Sequence, residues 1–332
     1  MRALASIFAL LLMMLPAHAF AWGAKGHQAV GAIADSNLNP HARAMVASLI
    51  GTSLEQAGPW LDCVKDVKGS KDSLHYVKDQ RYADGCSVFW TADAEKQMVA
   101  FAEKNWDNCT PWCDGNPCHD QYHFADVDIS SANPAYKVGE PGTNDHDVVH
   151  AIDAAITVLQ GNRASKPFAD SMDQREALLM LAHLVGDLHQ PLHVGAIYLD
   201  GDGHETPATS GDDADPAFTR GGNFMFVATK NLHSIWDNVS DATIANAKAV
   251  PASAVAPTPG SFTDWAATWA SQTIDAAKEN LEVLKVEPET GPHHWPVDAK
   301  ASPYAQQIAD IQARQLASGG HHFAELINAI WP

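Results

Sequence analysis

The residues best suited to chemistry lie in the run His183-Leu-Val-Gly-Asp187-Leu-His-Gln-Pro-Leu-His193. Positions four apart on a helix share a face, so His183 and Asp187 can reach one ion before Pro191 turns the chain. Leu178, Leu179, Leu181, Leu184, Val185 and Leu188 make this helix apolar on nearly every side, which places it in the interior. Polar groups there are costly unless compensated, and a metal compensates them directly. For His183 alone, a histidine satisfied by an ordinary hydrogen bond is the competing reading. A second pair, in Asn231-Leu-His233-Ser-Ile-Trp-Asp237, repeats the spacing and offers another imidazole and carboxylate on one helical face. Two such pairs point to more than one ion. His and Asp suit zinc, and a catalytic ion keeps an open position for water.

The elements that must hold these residues read mostly as helix. Alanine-rich stretches with apolar residues at three- and four-residue intervals cover 24–36, 41–50, 93–107, 146–160, 173–189, 262–284 and 303–330. Pro40, Asp173 and Pro303 stand near starts, and Gly51 and Gly161 near stops. Strand signals are few: Val194 to Leu199 and Phe224 to Thr229 predict one short hairpin, with 200–222 looping between them. The expected architecture is all-α, one compact helical domain over 22–332 with that hairpin. Within it, 63–122 reads as a disulfide-pinned excursion, and 250–261 reads as a loop.

Residues 1–21 combine Arg2, an apolar run from Ala3 to Leu15 and a small-residue exit at Ala19-Phe20-Ala21, the pattern of an exported signal peptide. The run is too short to span a bilayer, so the expected product is a periplasmic or secreted protein starting at Trp22, not a membrane protein. Its five cysteines lie between Cys63 and Cys118, and an oxidising compartment favours pairing. Cys63 with Cys86 and Cys109 with Cys118 is the expected pairing, with Cys113 left over. Zinc binding by Cys109, Cys113 and Cys118 is the alternative. The net charge of −19 argues against a basic nucleic-acid footprint. A phosphate-bearing substrate would therefore need bound cations to attract it.

Cleavage before Trp22-Gly-Ala-Lys-Gly-His27 would free an α-amine with a pKa near ~8, able to give up its proton to a metal. Amine, carbonyl and His27 could then chelate one ion, although His27 reads equally as an ordinary helix residue. Two further pieces are Trp60-Leu-Asp62 and Gln121-Tyr-His123-Phe-Ala-Asp126. With Gly221-Gly222-Asn223, the ordered set Trp-Gly-x-x-Gly-His, Trp-x-Asp, His-Phe-x-Asp, His-x-x-Gly-Asp-x-x-Gln-Pro-Leu-His, Gly-Gly-Asn and Asn-Leu-His-x-x-Trp-Asp resembles the trinuclear-zinc, single-strand-preferring nucleases of the fungal S1/P1 type. The motifs run from Trp22 to Asp237.

That resemblance implies three Zn2+ ions and nine protein ligands. One ion takes Trp22, His27 and Asp187; a second takes Asp62, His123, His183 and the shared Asp187; the third takes His193, His233 and Asp237. It also implies a secreted endonuclease that hydrolyses single-stranded DNA and RNA to 5′-phosphorylated products and removes phosphate from 3′-mononucleotides. Asp187, Asp62 and Lys65 would serve the chemistry, while Phe124 would stack a base and Asp126 accept a hydrogen bond from its edge. Asn223 and Lys65 complete the implied substrate contacts, Lys65 standing where the family often has a phosphate-binding arginine and lacking the bidentate fork. A monomer without a protein partner is expected. Between Asp62 and His123 the chain is longer than the fungal pattern, and Ser73-Leu-His75-Tyr-Val is a decoy inside that stretch.

Two other functions compete. Zinc phospholipase C enzymes resemble this family in fold and three-zinc site, but they typically close the ligand series with His-x-x-x-Glu, where this chain has Asp237. A secreted zinc-sequestering protein would favour closed coordination. The remaining histidines read as non-ligands: His146 and His150 lack a matching motif, and the pairs His293-His294 and His321-His322 are expected at the surface. Trp265 and Trp269 are expected in the core, and the aspartates of 200–215 in a solvated loop.

Overall fold

The computed structural model describes residues 22–109, 117–212, 214–298 and 304–332. The leader and Cys113 lie outside these. The helices are α1 (Ala24–Asn37), α2 (Pro40–Ile50), α3 (Leu54–Ala57), α4 (Trp60–Val64), α5 (Ala83–Cys86), α6 (Ala92–Lys104), α7 (Val148–Leu159), α8 (Gln174–Leu188), α9 (Leu232–Asp237), α10 (Asp241–Ala249), α11 (Trp265–Leu281) and α12 (Tyr304–Ile330). Local chemistry sets their starts. Asn39 caps α2 ahead of Pro40, and Asp173 with Glu176 forms a reciprocal capping box at α8. At the end of α2, Gly51 takes the left-handed conformation that closes the helix.

α8 runs through the centre, every residue from Ala177 to Leu188 being buried, with α7, α4, α2, α1 and α12 packed around it. α12 also packs along α1 and α10. This wrapping corrects one expectation: His321 and His322 are buried rather than exposed. His322 stacks on Trp269, with ring centroids 5.0 Å apart, and meets His189 at 2.9 Å. Burial pushes the His322 pKa down to about 2, chiefly by desolvation.

The strands are short: β1 (Val67–Lys68), β2 (His75–Tyr76), β3 (Val127–Asp128), β4 (Gly195–Ala196), β5 (Met225–Val227), β6 (Lys230–Asn231), β7 (Lys285–Val286) and β8 (Trp295–Asp298). The two segments expected to pair with each other find different partners. β4 runs parallel to β3, in the register Val127↔Gly195, and β5 sits between β6 and β8 in a sheet ordered β6-β5-β8-β7. The observed tight hairpin is β5 with β6, and Tyr198 and Leu199 bridge back to Phe218 and Glu205. Asp215, expected in solvent, is buried and accepts hydrogen bonds from Thr209 and Ala217.

Disulfides join Cys63 to Cys86 and Cys109 to Cys118, each with Cα atoms 5.5 Å apart. The first ties α4, which carries Asp62, to α5. Among the described residues no helix is long and apolar enough to cross a membrane.

Candidate metal centre

Six parts of the chain deliver polar side chains to one buried region. α8 supplies His183 and Asp187 on a single face, as their spacing requires. α1 lays the His27 ring against His183, with centroids 3.8 Å apart and an interplanar angle of 18°. Gly186 makes this possible, because a Cβ there would stand 2.7 Å from His27 Nδ1. α4 contributes Asp62, and the turn ending at Gln121 delivers His123. The Pro191–His193 turn and α9 supply His193, His233 and Asp237.

Asp187 lies between the first two groups. Its Oδ1 is 3.4 Å from His27 Nε2, while Oδ2 is 2.9 Å from His123 Nδ1 and 3.2 Å from His183 Nε2. Asp62 Oδ1 stands 3.6 Å from His183 Nε2 and 4.0 Å from His123 Nδ1. In the third group, Nε2 of His193 and Nε2 of His233 are 3.0 Å apart, and Asp237 Oδ2 is 3.7 Å from His233 Nε2. Three buried sets could therefore hold metal ions: His27 with His183 and Asp187, Asp62 with His123 and His183, and His193 with His233 and Asp237. In each set the candidate ligand atoms lie within 4.8 Å of one another.

Hydrogen bonds behind the rings decide which nitrogen is available. A carbonyl only accepts, so Nδ1 must carry the proton in His183 to Gly58 O at 2.8 Å, His193 to His123 O at 2.7 Å and His233 to Gly221 O at 2.7 Å. In the neutral rings the Nε2 lone pairs then point inward. His193 and His233 thus face each other lone pair to lone pair at 3.0 Å, a repulsive contact that an intervening cation converts into two bonds. Both ring nitrogens of His27, His123 Nε2 and Asp187 Oδ1 are buried without a hydrogen-bond partner. Leaving a buried polar atom unsatisfied costs about 1–3 kcal/mol, and more for a charged one. This donor set fits divalent cations.

The electrostatics agree. Burial, reinforced by neighbouring cationic groups, holds the His27, His123 and His193 pKa values well below the usual imidazole range, and burial brings His233 down to about 4. These rings stay neutral and ready to bind. Burial pushes Asp187 up to about 6 and raises Asp237 well above the carboxylate range, so both lack sufficient positive charge nearby. His183 goes the other way: the attraction of Asp187 and Asp62 for a positive charge outweighs desolvation.

The other expected site residues fall around this cluster. Trp22 is buried, with its Cδ1 3.7 Å from the place a Cβ on Gly186 would occupy, and the adjoining Gly23 N donates to Asp237 O at 2.9 Å. Lys65 Nζ pairs with Asp62 Oδ1 at 2.9 Å, and burial is outweighed by Asp62, Asp120 and Asp187 in raising its pKa. Phe124 is half-buried beside His123, and Asp126 is buried, its Oδ1 3.5 Å from where a Cβ on Gly221 would sit. Gly221 has φ +53, and a Cβ there would also lie 2.4 Å from Leu192 O, so glycine permits both the turn and the close approach. Asn223 donates its Nδ2 to Arg220 O at 2.9 Å. The decoy His75 is exposed on β2, outside the three groups.

Gln190 was not assigned a role from sequence. Its Nε2 donates to Asp237 Oδ1 at 2.9 Å while its Oε1 accepts from Leu192 N at 2.6 Å, locking the turn that carries His193. The signal lay in its place between the helix and Pro191.

Comparison with known proteins points the same way. A family model described as S1/P1 Nuclease matches residues 22–109 and 96–332. The chain is 25% identical over 243 residues to Endonuclease 5 of Arabidopsis thaliana, covering 69% of this chain and 60% of that protein. Against Endonuclease 4 of the same plant it is 26% identical over 240 residues, covering 69% and 58%. The matched segment thus spans about three-fifths of the length of these curated relatives.

Proposed function

Because the chain belongs to the S1/P1 nuclease family, we propose that it is an exported zinc-dependent endonuclease that hydrolyses phosphodiester bonds of single-stranded DNA and RNA, leaving 5′-phosphorylated products. Removal of phosphate from 3′-mononucleotides belongs to the same reading. The observation that carries it is the pair of inward-facing Nε2 lone pairs of His193 and His233 beside the two groups that share Asp187. Nitrogen and carboxylate donors at these positions suit zinc. One ion would be held by the Trp22 amine and carbonyl with His27 and Asp187, a second by Asp62, His123, His183 and Asp187, and a third by His193, His233 and Asp237. Zinc there would supply a water of lowered pKa and charge to stabilise the developing anion.

The chain's own groups do the rest. Asp187 holds His27, His123 and His183 in register with its two oxygens. Asp62 anchors Lys65, whose ammonium draws the phosphate toward the cluster. Phe124 offers a half-exposed ring on which a base can stack, and Asp126 accepts from the base edge. A paired base must leave its helix to reach that ring, which accounts for single-strand preference. Export is supported by the two disulfides.

Zinc phospholipase C is the alternative with related metal chemistry. Incubating the protein that begins at Trp22 with single-stranded DNA and with phosphatidylcholine separates the two. Cleavage of the DNA alone is expected; lipid cleavage with the DNA intact would overturn the nuclease reading.

A further inference from the structure

One cluster outside the metal region remains without a role. It begins where the site ends: Gly221 holds His233 through its carbonyl, and three residues later Phe224 stands immediately before β5. The exposed Arg220 places its guanidinium 5.9 Å from the Phe224 ring centroid. His293 also packs against Phe224, centroids 5.0 Å apart. Phe226, two residues on and so on the same face of the sheet, stacks on His294 at 4.1 Å with an interplanar angle of 8°. All four rings are half-buried, each leaving some surface to solvent.

Two features set this row apart from ordinary surface aromatics. Arg220 forms no ion pair with a described carboxylate, although the chain carries a net charge of −19. Moreover, Arg220 and His293 adopt left-handed backbone, with φ of 52° and 54°; among the described residues only Ala228 joins them among non-glycines. Such conformations cost free energy and persist where the surroundings impose them. Here both strained residues flank one phenylalanine. Glu289 Oε1 accepts from the backbone N of His293, fixing the main chain there, and Thr290 Oγ1 bonds His294 Nδ1 at 2.9 Å, holding that imidazole.

We propose that Arg220, Phe224 and His293, continued by Phe226 and His294, form a stacking track for nucleotides flanking the cleaved bond of a single strand. Flat rings accept any base by its π-face, and the guanidinium engages a phosphate or stacks in turn. The track extends the reading of the metal region as a nuclease site and rests on it. It lengthens the footprint beyond the nucleotide at Phe124, favouring oligonucleotides over dinucleotides.

The test uses the zinc-loaded protein and a fluorescent ten-nucleotide oligothymidylate with phosphorothioate linkages, its binding read by anisotropy. Phe224→Ala is expected to weaken binding about tenfold, within the range for loss of one base–aromatic stack, and Phe224→Tyr to restore it to within about twofold. Arg220→Gln, at an exposed position that does not threaten folding, is expected to reduce the salt dependence by about 0.7 in the log–log slope. With ordinary linkages, the ratio of kcat/KM for the decamer to that for the dinucleotide should fall about tenfold in Phe224→Ala. Wild-type decamer affinity in both Phe224→Ala and Arg220→Gln, or equal losses for decamer and dinucleotide, would overturn the track. If the parent protein binds the decamer through Phe224 yet cleaves no oligonucleotide, the nuclease reading fails while the track stands.

Discussion

Replacing Asp187 by Asn is expected to empty two of the three metal positions and to lower phosphodiester cleavage by about a thousandfold or more. The expectation follows from the placement of both carboxylate oxygens: Oδ1 addresses His27, and Oδ2 addresses His123 and His183. Asparagine keeps the volume but removes the charge, leaving three buried imidazoles without a shared anion. The fold should survive, because α8 is held by its apolar neighbours from Ala177 to Leu188 rather than by the cluster. Circular dichroism would then show unchanged helix content while bound zinc falls from three equivalents toward one. Loss of a single equivalent with cleavage intact would contradict the bridging role.

A single residue retained ahead of Trp22 is expected to cost about a hundredfold or more in activity, close to the upper range for disturbed metal shells. An α-amine can offer its lone pair to a metal after losing a proton, whereas a peptide nitrogen at the same place cannot do so readily. Trp22 is buried and its neighbour is tied to Asp237 by Gly23 N, so an added residue has little room to move aside. A protease site that cuts directly before Trp22 supplies the control, since releasing the free terminus should restore activity. Full activity in the uncut protein would show that the amine chelate is dispensable.

Much of the site was legible because helices translate spacing into direction. His183 and Asp187, and likewise His233 and Asp237, meet because four residues make about one turn. The burial of His183 and Asp187 was legible too, from the apolar residues around them on α8. Candidate ligands from separate segments, such as Asp62 and His123, carried no local signal of their own, and only the ordered motif set connected them. Strand partners were misjudged because pairing depends on topology: Gly195 lies beside Val127, and Phe226 beside both Asn231 and Pro296, contacts that no local alternation encodes. α10 was missed since its alanine-rich sequence has no sustained apolar stripe, although Ser240 caps it. His321 and His322 were misplaced for the opposite reason. They sit on a helix wrapped by α1, α8, α10 and α11, where polar side chains are covered by the neighbours whatever their own preference.

The proposed stacking track along Phe224 and Phe226 would let an acidic protein hold a polyanion. Long-range attraction is absent at a net charge of −19, so the proposed binding concentrates at bound cations, Lys65, Arg220 and uncharged rings. Weak electrostatic steering and strong local contact are the expected consequence.

The central claim is that the three buried groups hold three zinc ions, and anomalous diffraction at the zinc edge from crystals of the chain beginning at Trp22 tests it most directly. Three peaks are predicted: one among Trp22, His27 and Asp187, one among Asp62, His123, His183 and Asp187, and one among His193, His233 and Asp237. Crystals grown with zinc that show no peak between His193 and His233, or none beside Asp187, would contradict it.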